Sequence, residues 1–241
     1  MKKTVVYTAI SGNYDELRQP KNVSENCDYV CFTDNEKIKS DFWKIRPFPD
    51  SGLDKVRKCR ELKILPHKLF SDYDVSIWID GNIDIIGNMD ELIEKYILND
   101  ENKVITFKHC MRNCIYEEGE ACIKQARDKK KIIESQLQKY IDEGYPVNNG
   151  LIESNVLIRN HNDKDVIDLM ERWWLEVKNF SRRDQLSFNY AVWKNDASYA
   201  FMEGTSRNTN EYFLLKEHKE RTVFAKAIYR FRLFIIKLFD C

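Results

Sequence analysis

A short apolar segment that ends in an acidic residue constrains the fold of this chain more than any other feature. The segment Val75–Ile79 is mostly apolar, and Asp80 follows it directly, ahead of Gly81 and Asn82. We predict a strand buried in a sheet, with the Asp80 carboxylate at its carboxyl end. That end is where open α/β sheets bind ligands, so Asp80 is a candidate site residue.

Oxygen-bearing side chains alternate after this strand, at Asp80, Asn82 and Asp84. In extended backbone, alternate side chains share one face, and Gly81 lets another group approach closely. Such oxygens suit Mg²⁺ or Mn²⁺ that carries phosphates. Asp, Gly and Asn are also common turn residues, so a plain turn at the strand end stays open as the alternative.

Strand-like and helix-like segments alternate along much of the chain. The predicted strands are Val5–Ile10, Tyr29–Thr33, Phe42–Ile45, Val75–Ile79, Val104–Phe107 and Leu151–Arg159. The predicted helices are residues 55–70 with an interruption at Pro66, Met89–Ile97 with Asn88 as N-cap, residues 117–143, Asp163–Phe180 and Arg183–Trp193. This alternation predicts an α/β fold in which helices flank a mostly parallel sheet.

The composition limits the domain organisation and the classes of partner. A chain of 241 residues with 43% hydrophobic residues can form one large domain, which we place at residues 1–215. The 39 basic and 39 acidic residues balance, which argues against nucleic-acid binding. The apolar run near the start is interpreted as a strand and not as a signal peptide. The seven cysteines form no CxxC pair and fit packed thiols in a reducing cytosol.

The last segment, residues 216–241, has a different composition. From Arg221 onwards, apolar residues recur every three or four positions between Phe224 and Leu238, with basic residues between them. This pattern predicts a basic amphipathic helix that lies on an anionic membrane surface. A helix that packs on the domain or on a partner is the alternative. We expect a cytoplasmic protein held peripherally at the inner face of the membrane.

A basic helix is predicted just before the Asp80 strand. Arg60, Lys63 and His67 are spaced so that they share one helix face if Pro66 only kinks the helix. Basic side chains on a helix that directly precedes a strand ending in a carboxylate are suited to binding a diphosphate. A surface helix with scattered basic residues is the alternative.

The segment after the Val104 strand combines His109, Arg112, Glu117 and Glu118. Such a density of reactive side chains just past a strand end is typical of a functional site. The two glutamates also suit the first turn of a helix, where they complement its dipole.

Asp184 lies between Arg183 and Gln185 at the start of a predicted helix. Its carboxylate is a candidate for a catalytic base or for a group that orients an acceptor. A simple helix cap at Ser181 or Asp184 is the alternative.

Several motifs in one order resemble a known family. They are RELKILPHKLF followed by WIDGNIDI, then KHCMRNCIYEEGEACI, GLIESNVLIRN and SRRDQLSFNYAVWK. The chain resembles the TOD1/MUCI70-like glycosyltransferase-like domain (DUF616) over roughly residues 4–200. The resemblance implies a GT-A-like, Rossmann-type fold and a nucleotide-sugar donor.

The resemblance also implies roles for individual residues. Asp80 matches the first acidic position of the metal-binding DxD motif, while Asn82 takes the second position with an amide, which is a weaker ligand than a carboxylate. The implied donor-binding residues are Thr8, Ala9, Asp34, Arg60, Lys63 and His67. The implied catalytic residues are Asp80, His109, Glu118 and Asp184, with Arg112, Glu117, Arg183 and Gln185 on the acceptor side.

The function expected from the motifs and the resemblance is transfer of a sugar from a nucleotide sugar to a glycan or lipid-linked glycan, in surface polysaccharide biosynthesis. Mn²⁺ or Mg²⁺, held by Asp80 and Asn82, is the expected cofactor. One alternative is a domain that binds nucleotide sugar or glycan without turnover. A third hypothesis is hydrolysis of an amide or a lipid. It ranks last because the sequence shows no candidate nucleophile and no complete set of metal ligands for that reaction.

Overall fold

The computed structural model describes residues 2–99 and 102–218. Its strands are β1 (Thr4–Ile10), β2 (Cys27–Thr33), β3 (Lys44–Pro47), β4 (Val75–Ile79), β5 (Ile83–Ile85), β6 (Val104–Lys108), β7 (Ile152–Arg159), β8 (Ala200–Phe201) and β9 (Phe213–Leu215). Its α-helices are α1 (Lys55–Ile64), α2 (Met89–Ile93), α3 (Ile115–Lys124), α4 (Lys130–Asp142), α5 (Lys164–Asn179) and α6 (Phe188–Lys194).

Seven of these strands form one mixed sheet in the order β3-β2-β1-β4-β7-β6-β8. The strands from β3 to β4 are parallel, and β7 runs antiparallel to both β4 and β6. The parallel strands β1, β2 and β4 therefore end at the same edge of the sheet at which β7 begins. The predicted fold class, a mostly parallel mixed sheet flanked by helices, is confirmed.

The central strands of the sheet are buried on both faces, and their successive residues enter different cores. Ile77 and Ile79 of β4 belong to the core that includes α2, whereas Trp78 belongs to the core that includes Trp173 of α5. Because both faces are covered, β4 is apolar almost throughout, as expected for a strand inside a two-sided α/β layer.

Helix α1 ends just before Pro66, the residue at which the helical pattern of residues 55–70 was predicted to be interrupted. Asp54 caps its first turn by accepting hydrogen bonds from the backbone N–H groups of Val56 and Arg57. The α-helix stops at Ile64, and Pro66 begins a separate 3₁₀ turn, Pro66–Lys68. A proline disfavours the α conformation in the residue before it, and Leu65 has φ −111° and ψ 54° accordingly.

Other predicted elements differ in their bounds. The predicted 117–143 helix is two helices, α3 and α4, separated where Ala126 adopts φ 49°. The predicted Arg183–Trp193 helix is a 3₁₀ turn, Asp184–Leu186, followed by α6. The predicted Phe42–Ile45 strand begins two residues later, at Lys44, because the rings of Phe42 and Trp43 pack on Tyr29 instead. Helix α2 ends at Ile93 and continues as the π-helix Glu94–Asn99.

The predicted tail helix, residues 221–239, lies outside the described residues. The segment just before it is in contact with the domain: β9 pairs with β5, and the Lys216 backbone N–H donates to the Asn82 carbonyl at 2.8 Å. Among the residues that the structure describes, no helix has both the length and the apolar character needed to cross a membrane.

Candidate active site

A polar cleft lies where the carboxyl ends of β1 and β4 meet the start of β7. It consists of two adjoining cavities, of about 190 and 690 Å³. Both are lined by Arg60, Asp80, Arg127, Arg183 and His218. The cleft therefore lies at the position expected for ligand binding in an open α/β sheet.

Below the cleft, the buried ammonium group of Lys63 joins three polar side chains. Its Nζ lies 2.6 Å from Asp184 Oδ2 and 3.4 Å from Asp80 Oδ1, and it donates to Ser154 Oγ at 3.1 Å. Burial lowers the pKa of Lys63, and the carboxylates of Asp184 and Asp80 oppose that change. The Lys63 side chain is only 1% exposed, so it organises the floor of the cleft and does not line its surface.

Asp184 is held between two cations. Arg60 Nε lies 3.3 Å from Asp184 Oδ1, opposite the contact with Lys63. Burial alone would raise the pKa of Asp184, but the charges of Arg60 and Lys63 outweigh burial and lower it well below its ordinary value. A carboxylate that binds protons so weakly is a poor general base. Its geometry suits the positioning of Arg60 and Lys63.

Asp80 faces the cleft and is fixed from behind. Its Oδ1 accepts a hydrogen bond from Trp78 Nε1 at 2.8 Å, in addition to the contact with Lys63. Its backbone N–H donates to the carbonyl of Asn155 at 2.8 Å. The side chain remains 29% exposed, so its carboxylate can meet a ligand.

Strand β7 contributes three consecutive residues to the cleft, Glu153, Ser154 and Asn155. In regular extended backbone, successive side chains point to opposite faces. Here the β6–β7 register shifts between Thr106 and Phe107, and such a β-bulge re-aims side chains. We did not predict any of the three. The only signal in the sequence is a polar triplet inside an otherwise apolar strand.

Asn82 lines the cleft close to Asp80, but Asp84 does not join them. The Asn82 amide Nδ2 donates to the Lys216 carbonyl at 2.8 Å. Asp84 lies in β5, where its carboxylate is 3.5 Å from Arg18 and 3.7 Å from Lys216. The expectation that Asp84 faces the same ligand as Asp80 is therefore wrong.

The residues suited to a metal ion form an incomplete set. Within residues 2–99 and 102–218, no group of three His, Cys, Asp or Glu side chains could hold a metal ion. Asp80 and Asn82 offer two oxygen-bearing side chains on one wall of the cleft. Mg²⁺ is commonly bound by one or two carboxylates together with the phosphates of a substrate, so this pair fits a metal ion that arrives with a diphosphate.

Of the predicted basic helix face, only Arg60 and Lys63 reach the region of the cleft. His67 lies in the 3₁₀ turn after the helix break, and its Nε2 is 3.0 Å from Glu171 Oε1 on α5. The prediction that His67 shares a face with the other two is wrong, because the α-helix ends before Pro66.

The predicted nucleotide-side residues lie at the carboxyl ends of β1 and β2. Ala9 lines the larger cavity, whereas Thr8 is buried within the strand. Asp34 accepts hydrogen bonds from the Gly12 backbone N–H and from Ser11 Oγ. It thereby fixes the loop after β1, which forms part of the cavity wall.

The predicted acceptor-side residues fall into two groups. Arg183 and Gln185 line the cleft, and Arg183 donates to Gln185 at 2.9 Å. The other group comprises His109, Arg112, Glu117 and Glu118, and none of these four is among the residues that line the two cavities.

Three of those four residues form a cluster behind the cleft, while Glu117 is exposed on α3. Arg112 pairs with Glu118 at 2.6 Å, and His109 lies 3.9 Å from Glu118. Burial lowers the pKa of His109, although Glu153 and Glu118 oppose the change. His109 Nδ1 accepts hydrogen bonds from the backbone N–H groups of Met111 and Arg112. This neutral ring shapes the loop and does not reach the cleft.

Several cleft residues were absent from the predictions. His218 lines both cavities, and its Nδ1 lies 2.9 Å from Asp15 Oδ2. The remaining unpredicted residues that line the cleft include Arg127 and Arg207. Their positions depend on loops that return to the sheet from distant parts of the chain, which no local pattern reveals.

Residues 35–220 match the model of the TOD1/MUCI70 glycosyltransferase-like domain. That range is well over half of the chain, which therefore belongs to this family. A curated relative, the probable hexosyltransferase MUCI70 of Arabidopsis thaliana, is 24% identical over 216 residues, covering 77% of this chain and 36% of the relative. The chain thus spans about a third of that protein's length.

Solved structures similar to this one include two glycosyltransferases. The apo structure of the bifunctional glycosyltransferase WbbM has a TM-score of 0.49 at 13% identity, covering 96% of this chain and 44% of that one. The apo structure of mouse xyloside xylosyltransferase 1 has a TM-score of 0.47 at 11% identity, covering 82% of this chain and 83% of that one.

Proposed function

We propose that this chain is a glycosyltransferase that moves a sugar from a nucleotide-sugar donor to a glycan or lipid-linked glycan, in the biosynthesis of a surface polysaccharide. Membership of a glycosyltransferase-like family supports the reaction class. The observation that carries the proposal is the position of Asp80 in the polar cleft, beside Arg60 and Arg183. The Asp80 carboxylate is held there by the buried ammonium group of Lys63. Positive charge placed beside a departing diphosphate stabilises it.

Transfer leaves a nucleoside diphosphate, whose negative charge grows as the bond to the sugar breaks. Arg60 and Arg183 line the cleft and would bind its phosphate oxygens through charge-assisted hydrogen bonds. Because Asp184 fixes Arg60 from the buried side, the guanidinium group is oriented before the ligand arrives. Preorganised charges of this kind stabilise a transition state without reorganising during the reaction.

Asp80 and Asn82 would hold a divalent ion carried by the diphosphate. When bound, Mn²⁺ or Mg²⁺ supplies additional positive charge for the departing diphosphate. Asp184, predicted as a catalytic base, acts in this proposal as a positioning residue, since its pKa is lowered by the cations on both sides.

The proposal is tested by thermal unfolding of the full chain with a panel of nucleotide sugars and nucleoside diphosphates, each with and without Mn²⁺. A ligand that binds only the folded state raises the melting temperature. We expect one nucleotide family to do so, and its sugar conjugate to be consumed when a glycan acceptor is added. Absence of a shift with every nucleotide would contradict the proposal.

A binding domain without turnover is the second candidate. The amide of Asn82 at the second position of the DxD motif favours it, because an amide oxygen is a weaker metal ligand than a carboxylate. Stoichiometric binding of a nucleotide sugar with no release of nucleoside diphosphate, in the presence of acceptor and Mn²⁺, would decide for this candidate.

A further inference from the structure

Glu153 carries a buried carboxylate oxygen that has no partner. The residue is 2% exposed and lines the cleft. Its Oε1 accepts from Arg207 at 2.7 and 3.1 Å and from Cys110 Sγ at 3.4 Å. Its Oε2 is buried and has no hydrogen-bond partner among the described residues. All the contacts therefore hold one oxygen and leave the other available.

Asn155, two residues further along β7, repeats this arrangement. Its Nδ2 donates to Ser206 Oγ at 2.9 Å, which orients the amide. Its Oδ1 is buried without a partner in the described part of the chain. The backbone carbonyl of Asn155 accepts from the backbone N–H of Asp80. The side-chain Oδ1 of Asn155 therefore lies on the same wall of the cleft as the candidate diphosphate site.

Two unpaired acceptors on one wall indicate a ligand that donates hydrogen bonds. A buried acceptor without a partner is unfavourable, and a bound ligand that donates a hydrogen bond to it would remove that cost. A phosphate would be repelled by the Glu153 carboxylate. A metal ion would be repelled by Arg207, whose guanidinium lies against the same carboxylate. A neutral ligand with several hydroxyl groups satisfies both conditions, and a sugar is such a ligand.

We propose that Glu153 and Asn155 recognise a bound sugar. Glu153 Oε2 and Asn155 Oδ1 each accept a hydrogen bond from a hydroxyl group of a bound hexose. This inference rests on the proposed function for the role of that sugar in transfer. The hexose can belong to the donor or to the acceptor glycan, since both present the same hydroxyl groups, and the experiment separates the two.

The test compares the full-length wild type with Glu153→Gln and Asn155→Ala by calorimetry. Glu176→Gln is the matched control, because Glu176 is also buried and ion-paired, but both of its oxygens have partners, Lys139 and Tyr140. Each protein is titrated with bare nucleoside diphosphates, with nucleotide hexoses and with oligosaccharides lacking nucleotide. Thermal unfolding shows whether each variant is folded.

We expect Glu153→Gln to weaken the binding of a sugar-bearing ligand by about 10-fold or more. Arg207 donates to Oε1 and would keep the amide oxygen there, so a donating NH₂ group would replace the acceptor Oε2 that faces the hydroxyl group. Its affinity for bare nucleoside diphosphate should stay within about twofold of wild type. A deoxy-hexose ligand that lacks the contacted hydroxyl should bind wild type and Glu153→Gln equally. Weakening confined to nucleotide hexoses assigns the site to the donor, and weakening confined to oligosaccharides assigns it to the acceptor.

Unchanged sugar affinity in folded Glu153→Gln and Asn155→Ala, or an equal loss in Glu176→Gln, would overturn the inference. The same holds if no sugar-bearing ligand binds wild type in either arm. Sugar binding that depends on Glu153 without any transfer would leave the inference standing and contradict the proposed function. If the wild type transfers sugar and Glu153→Gln binds and transfers it equally well, the proposed function stands and the inference is overturned.

Discussion

Arg60 is the residue whose contribution to ligand binding can be isolated most directly. It lines both cavities, and Asp184 holds its guanidinium from the buried side. We predict that Arg60→Ala weakens the binding of a nucleoside diphosphate by about 1.5–3 kcal/mol, because a hydrogen bond to a charged group is lost. Calorimetric titration measures this change. Lys58→Ala, on the same helix and outside the cleft lining, is the control, and equal affinities in both variants would contradict the assignment.

Asp184 should matter for stability. Its carboxylate is 2% exposed and is paired with the buried Lys63 and with Arg60, which is 17% exposed. We predict that Asp184→Ala lowers the free energy of unfolding by about 3–5 kcal/mol, the range for breaking a buried ion pair. Asp168→Ala removes an exposed pair with Lys164 and should cost at most about 1 kcal/mol. Urea unfolding of both variants gives the comparison, and similar losses would show that the Asp184 network adds little.

The sign of the pH dependence follows from the same network. The cations lower the folded-state pKa of Asp184, while its unfolded-state value is about 3.9. Its contribution to stability is therefore fully present above that unfolded value. It is lost as the pH falls below it towards the folded-state pKa. Asp184→Asn should accordingly flatten the acid limb of the stability profile.

At the scale of elements, helix α1 places Arg60 and Lys63, and Asp54 holds its first turn. The Asp54 carboxylate accepts from the N–H groups of Val56 and Arg57 at 3.0 and 3.1 Å. We predict that Asp54→Ala costs about 0.5–2 kcal/mol of stability. Asp54→Asn should retain most of it, since asparagine caps helices equally well. If Asn and Ala are equally damaging in thermal unfolding, the ion pair with Arg57 and not the cap is the important contact.

Periodicity predicted the existence of most elements but not how they connect. Strand β4 and the cap of α2 at Asn88 are confirmed, because each has a strong local cause. His67 was misplaced because the pattern of basic residues continues past Pro66, while the helix does not. Glu153 and Asn155 were missed because the bulge that aims them depends on the register between β6 and β7, which is not a local property.

At the scale of the whole molecule, the cleft joins residues that are far apart in the sequence. The sequence placed Asp80, Arg60 and Arg183 at one site: Asp80 ends a predicted strand, Arg60 lies on the helix that precedes it, and Arg183 starts a predicted helix. His218 reaches the cleft from the segment beyond β9, within the range predicted as tail. Such contacts depend on the order of the strands in the sheet and on where distant segments of the chain return to it. They could therefore not be predicted from local sequence patterns.

The segment at residues 221–239 supports a prediction about location. We expect it to hold the chain on anionic membrane surfaces, with Phe224, Ile228, Phe231 and Ile235 inserted. Each basic residue near the surface would add about 1 kcal/mol. Deletion of the segment should release the protein from anionic vesicles in sedimentation assays and spare transfer to a soluble acceptor. If the full chain does not sediment with such vesicles, the segment has another partner.

The central claim is that Asp80 supports transfer from a nucleotide sugar. Asp80→Asn keeps an oxygen that can accept from Trp78 and Lys63, so the fold should persist while the negative charge is lost. The decisive measurement is sugar transfer by the folded variant, using the donor selected in the thermal panel. The account predicts a loss of about 100-fold or more relative to wild type, as for removal of a preorganised electrostatic group. Transfer at the wild-type rate by folded Asp80→Asn would contradict it.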